Sequence, residues 1–372
     1  MHVLVFLTFG ISFNDWEKSG LLSREILIYK KLNKEKKINF TFVTFGGSKD
    51  EEIVKNFNVI PYYKYNKILK NKVLTFFQSL FFAYKLKNIV QKPDIIKTNQ
   101  LMGSWMGIIC KIIFSCPLVV RTGYDVFQFS IYEKKNIIKK IIYYLLTQLG
   151  LLFSNSYIVT SQSDKKFLNK YFISTGNISI LQNWVKINLS DKMSLFKTEK
   201  EKTLLSVGRL EKQKNFSSLI ESLSESDYQL DIVGEGSERE ELIKLSKKLL
   251  TKVNFLGTID NKDLLNLYKH YKYFILASDY EGNSKTILEA KSAGCVVIAK
   301  ENRNNREIIE NEVDGILYNN ENLIHLINKL EEDEELTRDI SLNAINTVKE
   351  KNSIDIILDR EYKIYKKVLA NN

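Results

Sequence analysis

The sequence has few cysteines, which stabilise secreted domains as disulfides, and no long apolar run of the kind that crosses a membrane. Its three cysteines, Cys110, Cys116 and Cys295, form no Cys-x-x-Cys motif and cannot all pair with one another, which favours a reducing compartment. No apolar run approaches the ~20 residues that a membrane-spanning helix needs. The apolar N-terminal run lacks a basic leader and a small-residue cleavage site, so we predict that it is a first strand. We therefore expect a cytoplasmic protein.

Positive charge is concentrated in the first half of the chain. Residues 1–200 contain 30 Lys and Arg against 13 Asp and Glu, a net charge of +17, whereas the remaining residues contain 25 against 31, a net charge of −6. A half this basic can bind nucleic acid, an anionic membrane or a phosphorylated acceptor, and a compositional bias toward Lys, Asn and Ile explains it equally well. The sequence has no aromatic-basic RNA signature and no helix-turn-helix pattern, so nucleic acid is not an expected partner.

Short apolar runs alternate with helical patterns along the chain, in two series. The predicted strands of the first series are residues 3–9, 40–45, 94–98, 118–122, 157–160 and 178–181. Those of the second series are residues 203–208, 230–234, 253–257, 273–278 and 295–299. Such alternation is typical of parallel sheets with helices on both faces. At 372 residues, the two series predict two doubly wound domains, with the polar stretch 185–202 as a linker.

Three loops of the second series carry residues suited to a phosphorylated ligand, because ligands bind beyond the carboxyl ends of parallel strands. Arg209 and Lys214 follow the first strand, and two cations there can hold an anion. Gly234 and Gly236 form a Gly-x-Gly turn that lets backbone approach a ligand closely. The chain has no Gly-x-x-x-x-Gly-Lys-Ser/Thr loop, so a P-loop is excluded.

The third loop, "SDYEGNSKTILEA", places two glutamates around the start of a predicted helix. Glu281 precedes the helix and Glu289 lies on it, with Asn283 or Ser284 as the predicted N-cap. The first turn of such a helix offers free N–H groups and a partial positive charge to a diphosphate. Taken alone, Glu289 is better interpreted as a solvated helix residue.

These segments resemble the retaining family 4 glycosyltransferases of the GT-B fold. The second half carries the resemblance in "SVGRLEKQKN", "VGEGSERE", "EGNSKTILEAKSAGCVVIA" and "NREIIENEVDGILY". In the first half, "IIKTNQLMGSW", "PLVVRTGYD" and "SILQNWV" are similar to segments of a bacterial subgroup, and "ILDREYKIYKKVLA" is similar to the family's last helix. The resemblance implies two Rossmann-like domains facing a central cleft. It implies an acceptor-binding domain over residues 1–185, a nucleotide-sugar-binding domain over 186–352, and a helix at 353–372 that crosses back to the first domain.

The resemblance also implies an activity, namely transfer of a sugar from a UDP- or GDP-linked donor to a glycan or lipid-linked acceptor in bacterial cell-surface polysaccharide synthesis. Arg209 and Lys214 would neutralise the donor diphosphate, Glu281 would contact sugar hydroxyls, and Glu289 would bind the ribose. The remaining implied donor contacts are Gly208, Gly234, Gly236, Gly282, Asn283, Ser284, Lys285 and Thr286. The chain contains no Asp-x-Asp motif, so we expect transfer without a metal, and we expect no cofactor.

The first half departs from the family pattern at one position. Many members carry a histidine after the strand that corresponds to "PLVVRTGYD", but the histidines here are His2, His270 and His325. Arg121 or Thr122 occupies that neighbourhood, and we assign Arg121 and Asp125 to catalysis. The implied acceptor contacts are Asn99, Gln100, Gly123 and Asn183. A GT-B nucleotide-sugar epimerase and a catalytically inactive scaffold remain alternatives.

Two lysine-rich segments of the first half have patterns that suggest contact with a membrane surface. Residues 133–153 interleave four lysines with isoleucines and leucines, a pattern typical of a helix that lies on an anionic bilayer. Residues 67–87 show a weaker version of the pattern. The alternative is a helix packed on the sheet with its lysines in water, and both can hold at opposite ends of one helix. We therefore expect peripheral association with an anionic membrane as one possible partner interaction.

Overall fold

A computed structural model describes residues 1–187, 202–319 and 323–371 and divides the chain into two compact units. Unit 1 comprises Met1–Leu181 and Leu358–Asn372, and unit 2 comprises Gln182–Ile357. Most of the linker predicted at 185–202 lies outside the described residues.

Unit 1 is built on a seven-stranded parallel sheet of order β3-β2-β1-β4-β5-β6-β7. Its strands are β1 His2–Phe6, β2 Asn39–Thr44, β3 Asn58–Pro61, β4 Ile95–Thr98, β5 Leu118–Arg121, β6 Ser156–Val159 and β7 Ile178–Ile180. Its helices are α1 Phe13–Lys18, α2 Leu22–Lys36, α3 Lys49–Ile53, α4 Tyr62–Tyr65, α5 Lys72–Lys85, α6 Ser104–Phe114, α7 Val126–Tyr132, α8 Ile137–Phe153 and α9 Gln162–Tyr171. The central strands are buried on both faces, as expected for parallel strands between helix layers.

Unit 2 is built on a six-stranded parallel sheet of order β10-β9-β8-β11-β12-β13. Its strands are β8 Thr203–Val207, β9 Gln229–Val233, β10 Val253–Gly257, β11 Tyr273–Leu276, β12 Val296–Lys300 and β13 Ile316–Tyr318. Its helices are α10 Phe216–Ser222, α11 Arg239–Lys248, α12 Asn261–Leu267, α13 Lys285–Ser292, α14 Asn305–Ile308, α15 Leu323–Glu332 and α16 Glu334–Lys351. Leu204 and Leu205 belong to separate core clusters, because successive strand side chains point to opposite faces of the sheet.

The last helix, α17 Ile354–Ala370, begins in unit 2 and belongs to unit 1 from Leu358 onward. Within unit 1, Glu361 on this helix pairs with Lys97 on β4, and both side chains have no solvent exposure. The Tyr365 hydroxyl donates to Glu361 Oε1 at 2.5 Å, and the Lys97 ammonium lies 4.7 Å from the centre of the Tyr29 ring. This buried network attaches the helix to the sheet of unit 1.

The lysine-rich segment at 133–153 is not one helix. Helix α7 ends at Tyr132, and Lys134 has a positive φ of 50°. Helix α8 begins at Ile137, and the Asn136 side chain caps it by accepting from the Lys139 N–H at 2.9 Å.

All three cysteines are free and buried. Of the helices in the described part of the chain, none has both the length and the apolar composition needed to cross a membrane.

Candidate functional site in unit 2

The strand order of unit 2 reverses between β8 and β11. From β8 the chain moves outward to β9 and β10, and after β11 it moves the other way to β12 and β13. In open parallel sheets, the crevice at such a switch point, beyond the carboxyl ends of the strands, is where ligands bind. The loops after β8 and β11 are the ones in which the sequence predicts Arg209, Lys214 and Glu281.

Hydrogen bonds join these two loops to each other. Gln213 Nε2 donates to the Tyr280 carbonyl at 2.7 Å, and the Asp279 N–H donates to the Gln213 carbonyl at 3.1 Å. Asn215 Nδ2 donates to Asp279 Oδ1 at 3.2 Å. The loop after β11 is therefore positioned directly by the loop after β8.

Lys214 and Glu281 form an ion pair at the switch point. The distance from Lys214 Nζ to Glu281 Oε1 is 2.5 Å, and the side chains are 13% and 8% exposed. The aliphatic part of Lys214 lies against Gly208, where a Cβ would come within 3.3 Å of Lys214 Cδ. Two of the predicted donor-binding side chains thus meet. Arg209, which follows β8 directly after Gly208, is exposed.

The helix predicted after Glu281 is α13, and its N-cap is Ser284. The Ser284 side chain makes no capping hydrogen bond to the first turn and instead contacts Thr286 Oγ1 at 3.0 Å. The N–H groups of this first turn are therefore not taken up by their own cap residue. Glu281 lies four residues before the helix, so a carboxylate, an ammonium group and a helix N-terminus occupy one loop region.

Glu289 lies on α13 and is buried, so it is not a solvated helix residue. Asn261 Nδ2, on the first residue of α12, donates to Glu289 Oε1 at 2.9 Å, and the Tyr268 hydroxyl lies 3.5 Å from Glu289 Oε2. Both oxygens of the carboxylate therefore have fixed orientations before any ligand binds.

The two glycines after β9 are required by chain packing. Gly234 has a φ of +139°, and a Cβ there would lie 1.9 Å from the Gly208 carbonyl oxygen. A Cβ at Gly236 would lie 2.4 Å from the Leu210 carbonyl oxygen. The close approach predicted at these glycines is observed toward the loop after β8, and their contact with a ligand stays a prediction.

Asn183, predicted as an acceptor contact, belongs to unit 2 and supports the loop of Glu281. Its backbone N–H donates to Asn283 Oδ1 at 2.9 Å, and its Nδ2 donates to the Asn283 carbonyl at 2.6 Å. Asn352 Nδ2 donates in turn to the Asn183 carbonyl at 2.9 Å. Asn183 and Asn283 are both buried, so this pair fixes the backbone just before α13.

In unit 1, the loops after β4 and β5 bring together two of the predicted acceptor contacts. Gln100 Oε1 accepts from the Gly123 N–H at 2.9 Å. Asn99 Oδ1 lies 3.4 Å from the Tyr29 hydroxyl. These loops follow neighbouring strands at the carboxyl edge of the sheet, where ligands of open parallel sheets bind.

The two residues predicted to act in catalysis from unit 1 have different environments. Asp125 is buried and caps α7, with Oδ1 accepting from the Gln128 N–H at 2.6 Å. Arg121 ends β5, and its charge acts on the buried Glu361. Burial raises the pKa of Glu361, but the charges of Lys97 and Arg121 outweigh this effect and lower that pKa below its usual value. The structure thus gives Asp125 a capping role, and the catalytic roles of both residues stay predictions.

Comparison with known proteins identifies the second half of the chain. Residues 189–347 match the family described as "Glycosyl transferases group 1". The second half of the chain is thus similar to group 1 glycosyltransferases. It includes the loops that follow β8, β9 and β11, so the predicted donor-binding residues of unit 2 all lie within the matched segment.

Relatives that match more than two thirds of the chain also carry glycosyltransferase names. The chain is 24% identical over 331 residues to the N,N'-diacetylbacillosaminyl-diphospho-undecaprenol alpha-1,3-N-acetylgalactosaminyltransferase of Campylobacter jejuni, covering 83% of this chain and 86% of the relative. It is 28% identical over 277 residues to the UDP-Gal:alpha-D-GlcNAc-diphosphoundecaprenol alpha-1,3-galactosyltransferase of Escherichia coli, covering 68% and 69%.

The fold has solved counterparts. The structure of Anabaena HepE in complex with UDP and glucose superposes with a TM-score of 0.77 at 18% identity, covering 99% of this chain and 100% of that one. The predicted fold class, two doubly wound Rossmann-like domains of the GT-B type, is confirmed. The central cleft that the resemblance implies stays a prediction.

Proposed function

We propose that this group 1 glycosyltransferase is a retaining enzyme of family 4. It transfers a sugar from a nucleoside-diphosphate sugar to a lipid-linked acceptor during the synthesis of a bacterial surface polysaccharide. The observation that carries the proposal is the meeting of Lys214, Glu281 and the N-terminus of α13 at the switch point of unit 2. The names of the C. jejuni and E. coli relatives, which specify diphospho-undecaprenol-linked substrates, support the acceptor class. The UDP and glucose bound to HepE support the donor class.

The leaving diphosphate is the chemical problem that this region is suited to address. As the bond to the sugar breaks, negative charge accumulates on the phosphate. Arg209, Lys214 and the first turn of α13 can offer positive charge to this phosphate. These groups stabilise the departing diphosphate without a metal ion. Glu289, oriented by Asn261, accepts hydrogen bonds from the ribose hydroxyls.

Donor binding requires Lys214 to change partners. In the structure, its ammonium is neutralised by Glu281. When the diphosphate binds, Lys214 turns to the phosphate oxygens, and Glu281 becomes available to accept hydrogen bonds from hydroxyls of the sugar. The pair therefore keeps both side chains compensated in the empty site and presents them to neighbouring parts of one ligand in the occupied site. Retention then follows a front-face route, in which the departing phosphate oxygen takes the proton of the acceptor hydroxyl.

The proposed acceptor side lies in unit 1. The loops that carry Asn99, Gln100 and Gly123 are the candidate contacts to the acceptor, and the excess of basic residues in this half suits a diphosphate-bearing lipid at an anionic membrane surface.

The test combines donor screening with a transfer assay. Thermal unfolding in the presence of UDP, GDP and their sugars identifies the donor, since a ligand stabilises the protein that binds it. Transfer is then measured to undecaprenyl-diphosphate-linked sugars, with and without chelator, and the anomeric configuration of the product is read by NMR. We expect a retained configuration, activity in excess chelator and no sugar conversion without acceptor. Inversion, or loss of activity that manganese restores, contradicts the mechanism, and conversion of the donor without acceptor indicates an epimerase.

The variant for this test is Lys214→Ala, and the matched control is Lys212→Ala, because Lys212 is an exposed lysine of the same short helical turn. Lys214→Ala should weaken binding of the nucleoside diphosphate by roughly 1.5 to 3 kcal/mol, the usual contribution of a charge-assisted hydrogen bond. Lys212→Ala should bind it like the parent. Equal affinity in the two variants contradicts the placement of the donor site.

A further inference from the structure

Unit 1 exposes a large apolar surface on three neighbouring helices. Helix α6 packs against both α5 and α8, so the three form one layer on the sheet. On α5, the exposed large side chains are Val73, Leu74, Phe77, Phe81 and Tyr84. On α8, they are Ile137, Ile138, Ile141, Ile142, Leu145, Leu149, Leu152 and Phe153. Ile112 adds an exposed side chain on α6. We call these residues the apolar helix surface.

The exposed side chains form stripes along the helices. On α5 and on α8 they recur mostly at intervals of one, three or four residues, which places them along one side of each helix. Phe81 is 71% exposed and Ile112 is 66% exposed, so these side chains are not the margins of buried ones. Single exposed apolar residues are normal in proteins, but stripes of such residues along neighbouring helices are typical of interaction surfaces.

Lysines predominate in the two segments that carry the surface, although Lys64 is paired with Glu51 at 2.9 Å. Residues 61–92, which contain α5, include seven lysines and no Asp or Glu. Helix α8 contains Lys139 and Lys140 and no acidic residue, and the nearby Glu133 is paired with Lys135 at 3.1 Å. A second copy of this chain, docked face to face, would place lysines against lysines. An anionic bilayer instead offers hydrocarbon to the isoleucines and phenylalanines and phosphate groups to the lysines.

The surface also lies near the proposed acceptor edge of the sheet. In a parallel β-α-β unit, the helix starts at the carboxyl edge of its preceding strand and runs back. The first turns of α5 and α8 are therefore on the same edge as the loops that carry Gln100 and Gly123. On α8, most of the exposed residues lie between Ile137 and Leu145, toward that edge, whereas Leu146 and Leu151 are buried.

We propose that the apolar helix surface docks the protein on an anionic bilayer, with the first turns of α5 and α8 at the lipid headgroups. In this orientation, the carboxyl edge of the unit 1 sheet lies next to the membrane, where the diphosphate of a lipid-linked acceptor is located. The orientation rests on the proposed function for its biological purpose, but the docking itself does not require sugar transfer.

The experiment measures co-sedimentation with vesicles of phosphatidylcholine alone and of phosphatidylcholine with phosphatidylglycerol, without nucleotide or acceptor. The charge variant is Lys139→Gln with Lys140→Gln, and its control is Lys247→Gln with Lys248→Gln, two exposed lysines at the end of α11 in unit 2. Both double variants lower the net charge by the same amount. The apolar variant is Phe77→Ser with Phe81→Ser, and its control is Leu250→Ser, at an exposed leucine of unit 2.

We expect binding to the phosphatidylglycerol vesicles and much weaker binding to phosphatidylcholine alone. The charge variant should lower the partition coefficient about 30-fold, because each lysine near an anionic surface contributes about 1 kcal/mol and 1.4 kcal/mol is a factor of ten. The apolar variant should lower it on the order of tenfold for each phenylalanine. The two control variants should bind vesicles like the parent.

Three outcomes overturn the proposal. They are an absence of binding to either vesicle, binding that neither surface variant weakens, and a concentration-dependent dimer that the apolar variant dissolves while vesicles are not bound. The last result assigns the surface to a second copy of the chain. Because UDP binding is measured separately by thermal unfolding, vesicle binding without nucleotide binding contradicts the proposed function alone, and the reverse contradicts the docking alone.

Discussion

The buried pair of Lys97 and Glu361 allows a quantitative test of how the last helix is held. Both side chains have no solvent exposure, so each charge depends on the other for compensation. Removing one partner of such a pair typically costs 3 to 5 kcal/mol, because the remaining charge stays buried. Glu361 also accepts from Tyr365 and feels the charge of Arg121, so we expect about 3 kcal/mol, the lower end of this range, for Lys97→Met. For Glu361→Gln, we expect about 2 kcal/mol, because an amide oxygen can still accept from Lys97.

The double variant separates the pair from its surroundings. If the interaction between the two charges dominates, Lys97→Met with Glu361→Gln should cost about 2 kcal/mol less than the sum of the single variants, which is within the usual range for residues in contact. Energies that add within about 0.5 kcal/mol would show that the charges do not depend on each other, and would refute the reasoning.

The assay must report unit 1, because a protein of two units need not unfold in a single transition. The chain has three tryptophans, of which Trp16 and Trp105 belong to unit 1 and Trp184 to unit 2. Urea unfolding by fluorescence in a common Trp184→Phe background therefore follows unit 1.

The lowered pKa of Glu361 makes the stability of unit 1 depend on pH. A depressed carboxyl pKa stabilises the fold above the unfolded value of about 4.5, and this contribution is lost as the pH falls through the folded value. Glu361→Gln should reduce this acid-induced loss of stability.

Three further predictions concern unit 2. Glu281→Gln should lower kcat, whereas Glu289→Gln should chiefly raise the KM for donor, because the ribose does not react; steady-state kinetics with the reverse pattern would reverse the two assignments. Arg209→Ala should weaken binding of the nucleoside diphosphate by roughly 1.5 to 3 kcal/mol at no cost in thermal stability, because Arg209 is exposed, and unchanged affinity in calorimetry contradicts its role. Gly234→Ala should destabilise or unfold unit 2, since its Cβ would lie 1.9 Å from the Gly208 carbonyl oxygen, whereas Gly47→Ala, with open space around its Cβ, should leave thermal unfolding nearly unchanged; equal stability of the two variants contradicts the packing account.

Sequence patterns located the central strands because strands buried on both faces are continuous apolar runs. The two strands that the patterns missed, β3 and β13, lie at sheet edges. β3 has four residues and ends in Pro61, and β13 has three residues. Such short segments give too few positions for a periodicity, and proline argues against a strand except at an edge. Their formation depends on the partner strand, which the local sequence does not show.

The candidate site was predictable in part for a similar reason. Arg209, Lys214 and Glu281 follow apolar runs, so topology alone places them at one edge of the sheet. The hydrogen bonds of Gln213 to Tyr280 and of Asn261 to Glu289 join residues that are 67 and 28 positions apart in the chain. Glutamine and asparagine are common polar residues, and no spacing rule marks these pairs. Only the folded chain shows that they orient the loops.

Helix α8 shows a limit of amphipathic patterns. Its sequence is apolar on more than one side, so the pattern could not decide which leucines and isoleucines face the sheet. The structure buries Leu146 and Leu151 and exposes Ile138 and Ile141. Packing on the sheet therefore describes Leu146 and Leu151 in the second half, whereas the exposed isoleucines of the first half leave the membrane interpretation a prediction. Burial depends on neighbouring helices, which the segment does not encode.

Two of the lysine–glutamate pairs, Lys97 with Glu361 and Lys214 with Glu281, have the same chemistry but different environments. In the pair of Lys97 and Glu361, neither side chain has any exposure, and one partner is on a central strand, so a change of partner would leave a charge without solvent or ligand. In the pair of Lys214 and Glu281, the side chains are 13% and 8% exposed and lie in loops at the switch point. A ligand that brings phosphate to the lysine and hydroxyl groups to the glutamate can replace both halves of this interaction at once. Burial and position in the sheet therefore make the first pair a structural link, whereas the second is compatible with the exchange of partners proposed for donor binding.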